Sequence, residues 1–168
     1  MATVARTLRL FALILWVGGI VHFGAVLAPA AAHALNTQQL GAVIGPALTK
    51  LHFMGIICGV ALLLSLRMLG NRAYKPLVQA ALVVAMIVLT IVSNKFLLQP
   101  MEHTRAVTGG YISALPLDAP MRRDFDNRHH WSTRVEGAVL LCGVALALLV
   151  AFEQDGASGS ADARRDQA

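Results

Sequence analysis

The chain has 168 residues, of which 57% are hydrophobic and only 14% charged, with a mean hydropathy of +0.64. A water-soluble domain of that size needs a charged surface that this composition does not supply, so the membrane class follows before any segment is read. The net charge of +5 does not point to nucleic acid, because Lys and Arg sit at the ends of apolar runs and form no stripe with interleaved aromatics; the expected partner is the lipid bilayer.

A helix needs roughly 20 mostly apolar residues to cross the hydrocarbon core. Four windows meet that length, and each is too long and too rich in Leu, Ala and Met to be a strand. The first is LRLFALILWVGGIVHFGAVLAPAAA, residues 8–32. Its flanking Arg6 and Arg9 and its APAAAHAL end also fit a cleaved secretory signal, but the apolar core exceeds the usual signal length, which favours a retained helix. The second span is predicted over 48–69 and the third over 77–98. A stretch of mixed charge follows, QPMEHTRAVTGGYISALPLDAPMRRDFDNRHH, and reads as a long loop whose YISALPL run caps the bundle or lies on the membrane. The fourth span is predicted over 131–152, and the polar tail 153–168 is expected to be disordered. The prediction is therefore an all-α integral membrane protein: one four-helix transmembrane domain over 1–152, with a long loop between helices 3 and 4.

Small residues four apart, at Gly24 and Ala28, Gly55 and Gly59, and Gly143 and Ala147, let helix backbones approach closely. They support a compact bundle and offer faces for a homo-oligomer. Cys58 and Cys142 lie inside apolar runs and are expected as buried, unreactive thiols. Met54, Met68, Met86 and Trp16 are expected as packing residues. The fourteen Lys and Arg residues divide evenly between the two membrane sides. The densely basic RMLGNRAYKP connection and the two leading arginines place both termini in the cytoplasm, in a bacterial inner membrane.

Polar residues gather at the end opposite the termini. His33, His52, His103, His129 and His130 flank spans at that face, and His22 lies inside the first span, eleven residues before His33. Glu136 stands seven residues after His129, close to two helical turns, so Ser132 and both residues share a face. At about 1.5 Å per residue it lies roughly 8 Å below Trp131, an interfacial anchor. A carboxylate at that depth requires a partner, with Arg134, His22, His52 and His129 as candidates. Three readings follow. The cluster locks the helices structurally; or His22, His52, His129, His130 and Glu136 bind copper or zinc for handling or efflux; or two histidines at matched depth, His22 with His52 or His129, ligate haem b. The hydrolase motifs are absent from the sequence, and no enzyme is expected.

Two signatures resemble a known family. LWVGGIVHFGAVLAPAA carries Trp16, Gly18, Gly19, Phe23, Ala28 and Pro29, and the later segment carries Phe125, His129, Ser132 and Glu136. With the QPM at 99–101, they are similar to the transmembrane protein 205-like family, also described as domain of unknown function 4149. The Trp-Gly-Gly core is also similar, more weakly, to the copper-resistance D family. Two positions depart from the first pattern: Glu136 stands where that family carries asparagine, and His22 where an aromatic or aliphatic residue is expected. The resemblance implies a four-helix membrane protein of unestablished role, with a lean toward metal handling from the association of its animal members with resistance to platinum drugs.

Overall fold

A computed structural model describes residues 1–165. Among them are four long helices and no strand: α1 (Ala2–Ala34), α2 (Thr37–Arg72), α3 (Pro76–Val107) and α4 (Pro120–Arg165). Each is long and apolar enough to cross a membrane, yet only 22–39% of each apolar window is buried inside the bundle. The remainder, including Phe11, Ile14, Phe53, Leu77, Val88, Leu141 and Phe152, faces outward. Such a belt of exposed apolar side chains is what a bilayer solvates and water does not. The chain is an all-α four-helix membrane protein.

The helices outrun the predicted spans because an apolar window marks the lipid crossing, whereas the backbone ladder ends at a cap or a turn. Asn36 and Gln39 form a reciprocal capping box that starts α2 eleven residues before 48. At the far end of α3, Gly109 and Gly110 take positive φ, and the Gly110 N–H closes on the Arg105 carbonyl at 2.8 Å. Most of the expected third loop is therefore helical. Its irregular part narrows to 108–119, with a short 3-10 turn at Ile112–Ala114. YISALPL divides: Ile112 is buried, while Tyr111 and Leu117 are exposed. The last residues of the expected tail, 166–168, lie outside the described residues.

Two π-helical segments interrupt the ladder, Phe23–Leu27 in α1 and Ser93–Leu98 in α3, each just before a proline, Pro29 and Pro100. Proline lacks the N–H that the carbonyl four residues back would accept, and a widened turn absorbs the misfit. In α3 that carbonyl belongs to Phe96, and Arg128 of α4 donates to it at 2.7 Å.

The four helices meet in a dry layer. Trp16, Cys58, Leu62, Val83, Met86, Val139 and Leu146 are buried there. Trp16 lies in a trough made by Gly55 and Gly59, where a Cβ at Gly55 would overlap the indole. Gly143 seats Val17 in the same manner, whereas Gly24 meets nothing within 4 Å. Close packing thus uses two of the three predicted small-residue faces. Both cysteines are free; Cys58 is buried and Cys142 half-buried.

Candidate functional site

The apolar run of α3 breaks at Ser93 and Asn94, on the π-helical turn that precedes Pro100. Polar groups there must find partners within the bundle, and they find the two residues of α2 and α4 that share the problem. His52 Nε2 and Glu136 Oε1 are 2.5 Å apart. His52 is 2% exposed, and the Glu136 side chain 18%. The Ser93 hydroxyl donates to the same carboxylate oxygen at 3.1 Å. On the other side of the ring, the Asn94 amide nitrogen lies 3.4 Å from His52 Nδ1, and Gln99 donates to Asn94 Oδ1 at 3.2 Å. With Asn94 donating, Nδ1 is the acceptor, which places the ring hydrogen on Nε2, aimed at Glu136. Three helices are tied by one chain of hydrogen bonds.

Of the five predicted site residues, this network joins His52 and Glu136. His22, His129 and His130 are exposed, and among the described residues no hydrogen bond ties them to the pair. The His129 and His130 rings stand 6.3 Å apart. His33 is engaged locally, its Nδ1 2.8 Å from the Pro29 carbonyl. Among the described residues, no group of three or more His, Cys, Asp and Glu side chains is placed to hold a metal ion. Arg134, another candidate partner of Glu136, instead stacks over Trp131 at 5.2 Å. Ser93 was not singled out by sequence, although the polar pair breaking VLTIVSNKF signals it.

A second polar node lies across the dry layer. Arg9 of α1 makes a two-bonded pair with Glu153 of α4, both at 2.9 Å, and reaches Gln79 of α3 at 3.3 Å. Glu153 also accepts the Tyr74 backbone N–H at 3.0 Å. Arg9 is 1% and Glu153 8% exposed. Sequence reading placed Arg9 among the flanking topology charges, and Glu153 is the first residue past the expected boundary at 152. The partners are 144 positions apart, and no local pattern links them.

Beyond His52, the bundle end opens into a cavity of about 390 Å³ between the end of α1, the start of α2, the 110–113 segment and the start of α4. Ala28, Leu40, Ile44, Ile112 and Phe125 supply apolar walls. Arg105 and Arg122 also line it, with Asp126 and His129. Gly41 and Gly45 make room for this arrangement. A Cβ at Gly41 would come within 2.9 Å of Arg105 Nε, and one at Gly45 would overlap the Glu102 carboxylate that Arg105 bonds.

No curated protein and no solved structure matches the chain. The model of one family does match, over residues 11–109, more than half of the sequence and a stretch that holds Trp16, His52, Ser93 and Asn94. The chain belongs to the family described as Domain of unknown function (DUF4149).

Proposed function

We propose that this protein is a membrane-embedded binding module rather than an enzyme, in which the His52–Glu136 node clamps α2, α3 and α4 beneath a binding cavity. One observation carries the reading: the 2.5 Å contact between His52 and Glu136 is already completed by Ser93 and Asn94. Such a network holds helices together without an added ion. The dry layer beneath it, with Trp16, Leu62, Met86 and Val139 buried, favours a one-sided site over a conducting path.

The test is elemental analysis and an absorption spectrum of the purified protein, alongside His52→Ala and Glu136→Gln. The clamp reading expects less folded protein and a lower melting temperature for His52→Ala, with no stoichiometric copper, zinc or Soret band. Copper or zinc bound one to one and lost in His52→Ala, with the fold intact, overturns it in favour of metal handling, which needs a further donor beside this pair. Within its family we read the chain as transmembrane protein 205-like, on Trp16, Gly18 and Gly19. We place it in a bacterial inner membrane with both ends cytoplasmic, on its basic Arg67–Lys75 connection. Reporter fusions at residue 35 and at the carboxyl terminus check the orientation: an external signal from the second fusion contradicts it.

A further inference from the structure

We infer that the cavity between Ala28, Ile44 and Phe125 is a binding site for an anionic amphiphile, a molecule with one carboxylate or phosphate head and a short apolar body. The inference deepens the binding reading above, and its test leaves the His52–Glu136 node untouched.

The cavity, at about 390 Å³, falls in the size range of small-molecule sites. Its apolar walls come from the ends of α1, α2 and α4 and from Ile112 of the connecting turn, at one end of the bundle. Its two guanidinium groups are held before any ligand arrives. Arg105 Nη1 bonds Glu102, and the guanidinium lies 5.2 Å from the centre of the Phe125 ring. Arg122 Nη1 donates to the carbonyls of Ser113 and Leu115, at 3.0 and 2.8 Å. Each arginine therefore spends one terminal nitrogen on its mooring, and among the described residues the hydrogen-bond network leaves the other terminal nitrogen of each free for an oxyanion. Asp126 is the opposing charge in the lining: its carboxylate is 3.9 Å from Arg122 Nε and largely exposed, an ion pair weak enough for an entering head to displace. Glu102 is turned toward Gly45 and does not line the cavity. With Glu102 paired to Arg105 and Asp126 to Arg122 the charges balance, so the preference for an anion rests on the guanidinium nitrogens left free rather than on net charge. An apolar pocket with two moored arginines favours an anionic amphiphile over a neutral or cationic one of the same length.

Photo-crosslinking of the full chain in mild detergent tests this, using a diazirine-bearing medium-chain fatty acid, the matching alcohol, the matching alkylamine and a diazirine-bearing phosphatidylglycerol. Mass spectrometry should place adducts of the acid, the phospholipid or both on peptides containing Ala28–Ala32 or Leu40–Ile44. Adducts from the alcohol and amine at the same concentration should be at least fivefold fewer. Acid alone identifies a free acid as the ligand, and phospholipid alone identifies a bilayer lipid; either supports the site. Labelling should fall at least fivefold in Arg105→Gln/Arg122→Gln and in Ile44→Trp, which fills the cavity and keeps both arginines. Equal labelling by acid, alcohol and amine overturns the proposal in the unmodified protein, whatever the variants' folding. So does undiminished labelling of folded Ile44→Trp.

Discussion

The two polar nodes solve one problem with different chemistry. At one end Arg9 and Glu153 form a two-bonded ion pair that Gln79 and the Tyr74 backbone complete. At the other, His52 and Glu136 share a single contact, backed by Ser93 and Asn94. Arginine keeps its charge under all ordinary conditions, whereas histidine carries charge only after binding a second proton. The Arg9 node is thus a permanent rivet. The His52 node rests on one contact, and the hydrogen bonds of Ser93 and Asn94 set its direction. The cavity lies at the end of the bundle held by the second node, and the described side chains at the first node are closed around the ion pair.

The widest difference should appear when each node loses one partner. Glu153→Leu strands Arg9 in the bundle and should cost about 3–5 kcal/mol, read as a large loss of folded protein in thermally challenged size-exclusion profiles. The double change Arg9→Leu/Glu153→Leu should recover most of it, because a well-packed apolar pair replaces a buried ion pair at little loss. A double variant as unstable as the single one would show that the loss does not come from a stranded Arg9 charge. The layer between the nodes comes next. Gly55→Val drives a side chain into the Trp16 indole and should cost about 1–3 kcal/mol, while Gly24→Val, with open space around it, should melt with the parent. A Gly24 variant as damaged as the Gly55 one would contradict that packing.

At the second node, Glu136→Ala leaves the His52 and Ser93 donors unanswered and should cost about 1–3 kcal/mol. Glu136→Gln retains an acceptor oxygen and should lie between that variant and the parent. If Gln proves as damaging as Ala, the carboxylate's charge matters more than its hydrogen bonds, and the contrast with the Arg9 node narrows. The smallest effect belongs to Arg128→Gln, which uncaps the Phe96 carbonyl beside Pro100 and should lower stability by about 1 kcal/mol. Amide exchange confined to α3 around 96–101 would locate that loss; exchange spread evenly through the bundle would deny it.

The four spans, their helical character and the membrane class were legible in the amino-acid sequence, because a length of apolar chain and the need to pair every backbone group in lipid leave few alternatives. That the first and third connections share one face was legible too, since successive spans alternate in direction. Which residues would touch was not. Glu136 had four candidate partners by position along the chain. Arg134, two residues away on the same helix, points off its face and turns to Trp131, and the rotation of α2 against α4 brings His52 to the carboxylate. Arg9 and Glu153 meet across the whole fold from opposite ends of the described side chains. The cavity depends on Gly41 and Gly45, whose missing side chains admit a salt bridge from another helix. Periodicity records which face of a helix is apolar. The partner each polar group meets depends on helix rotation, proline-induced widening and close backbone approach, and those are properties of the packed bundle.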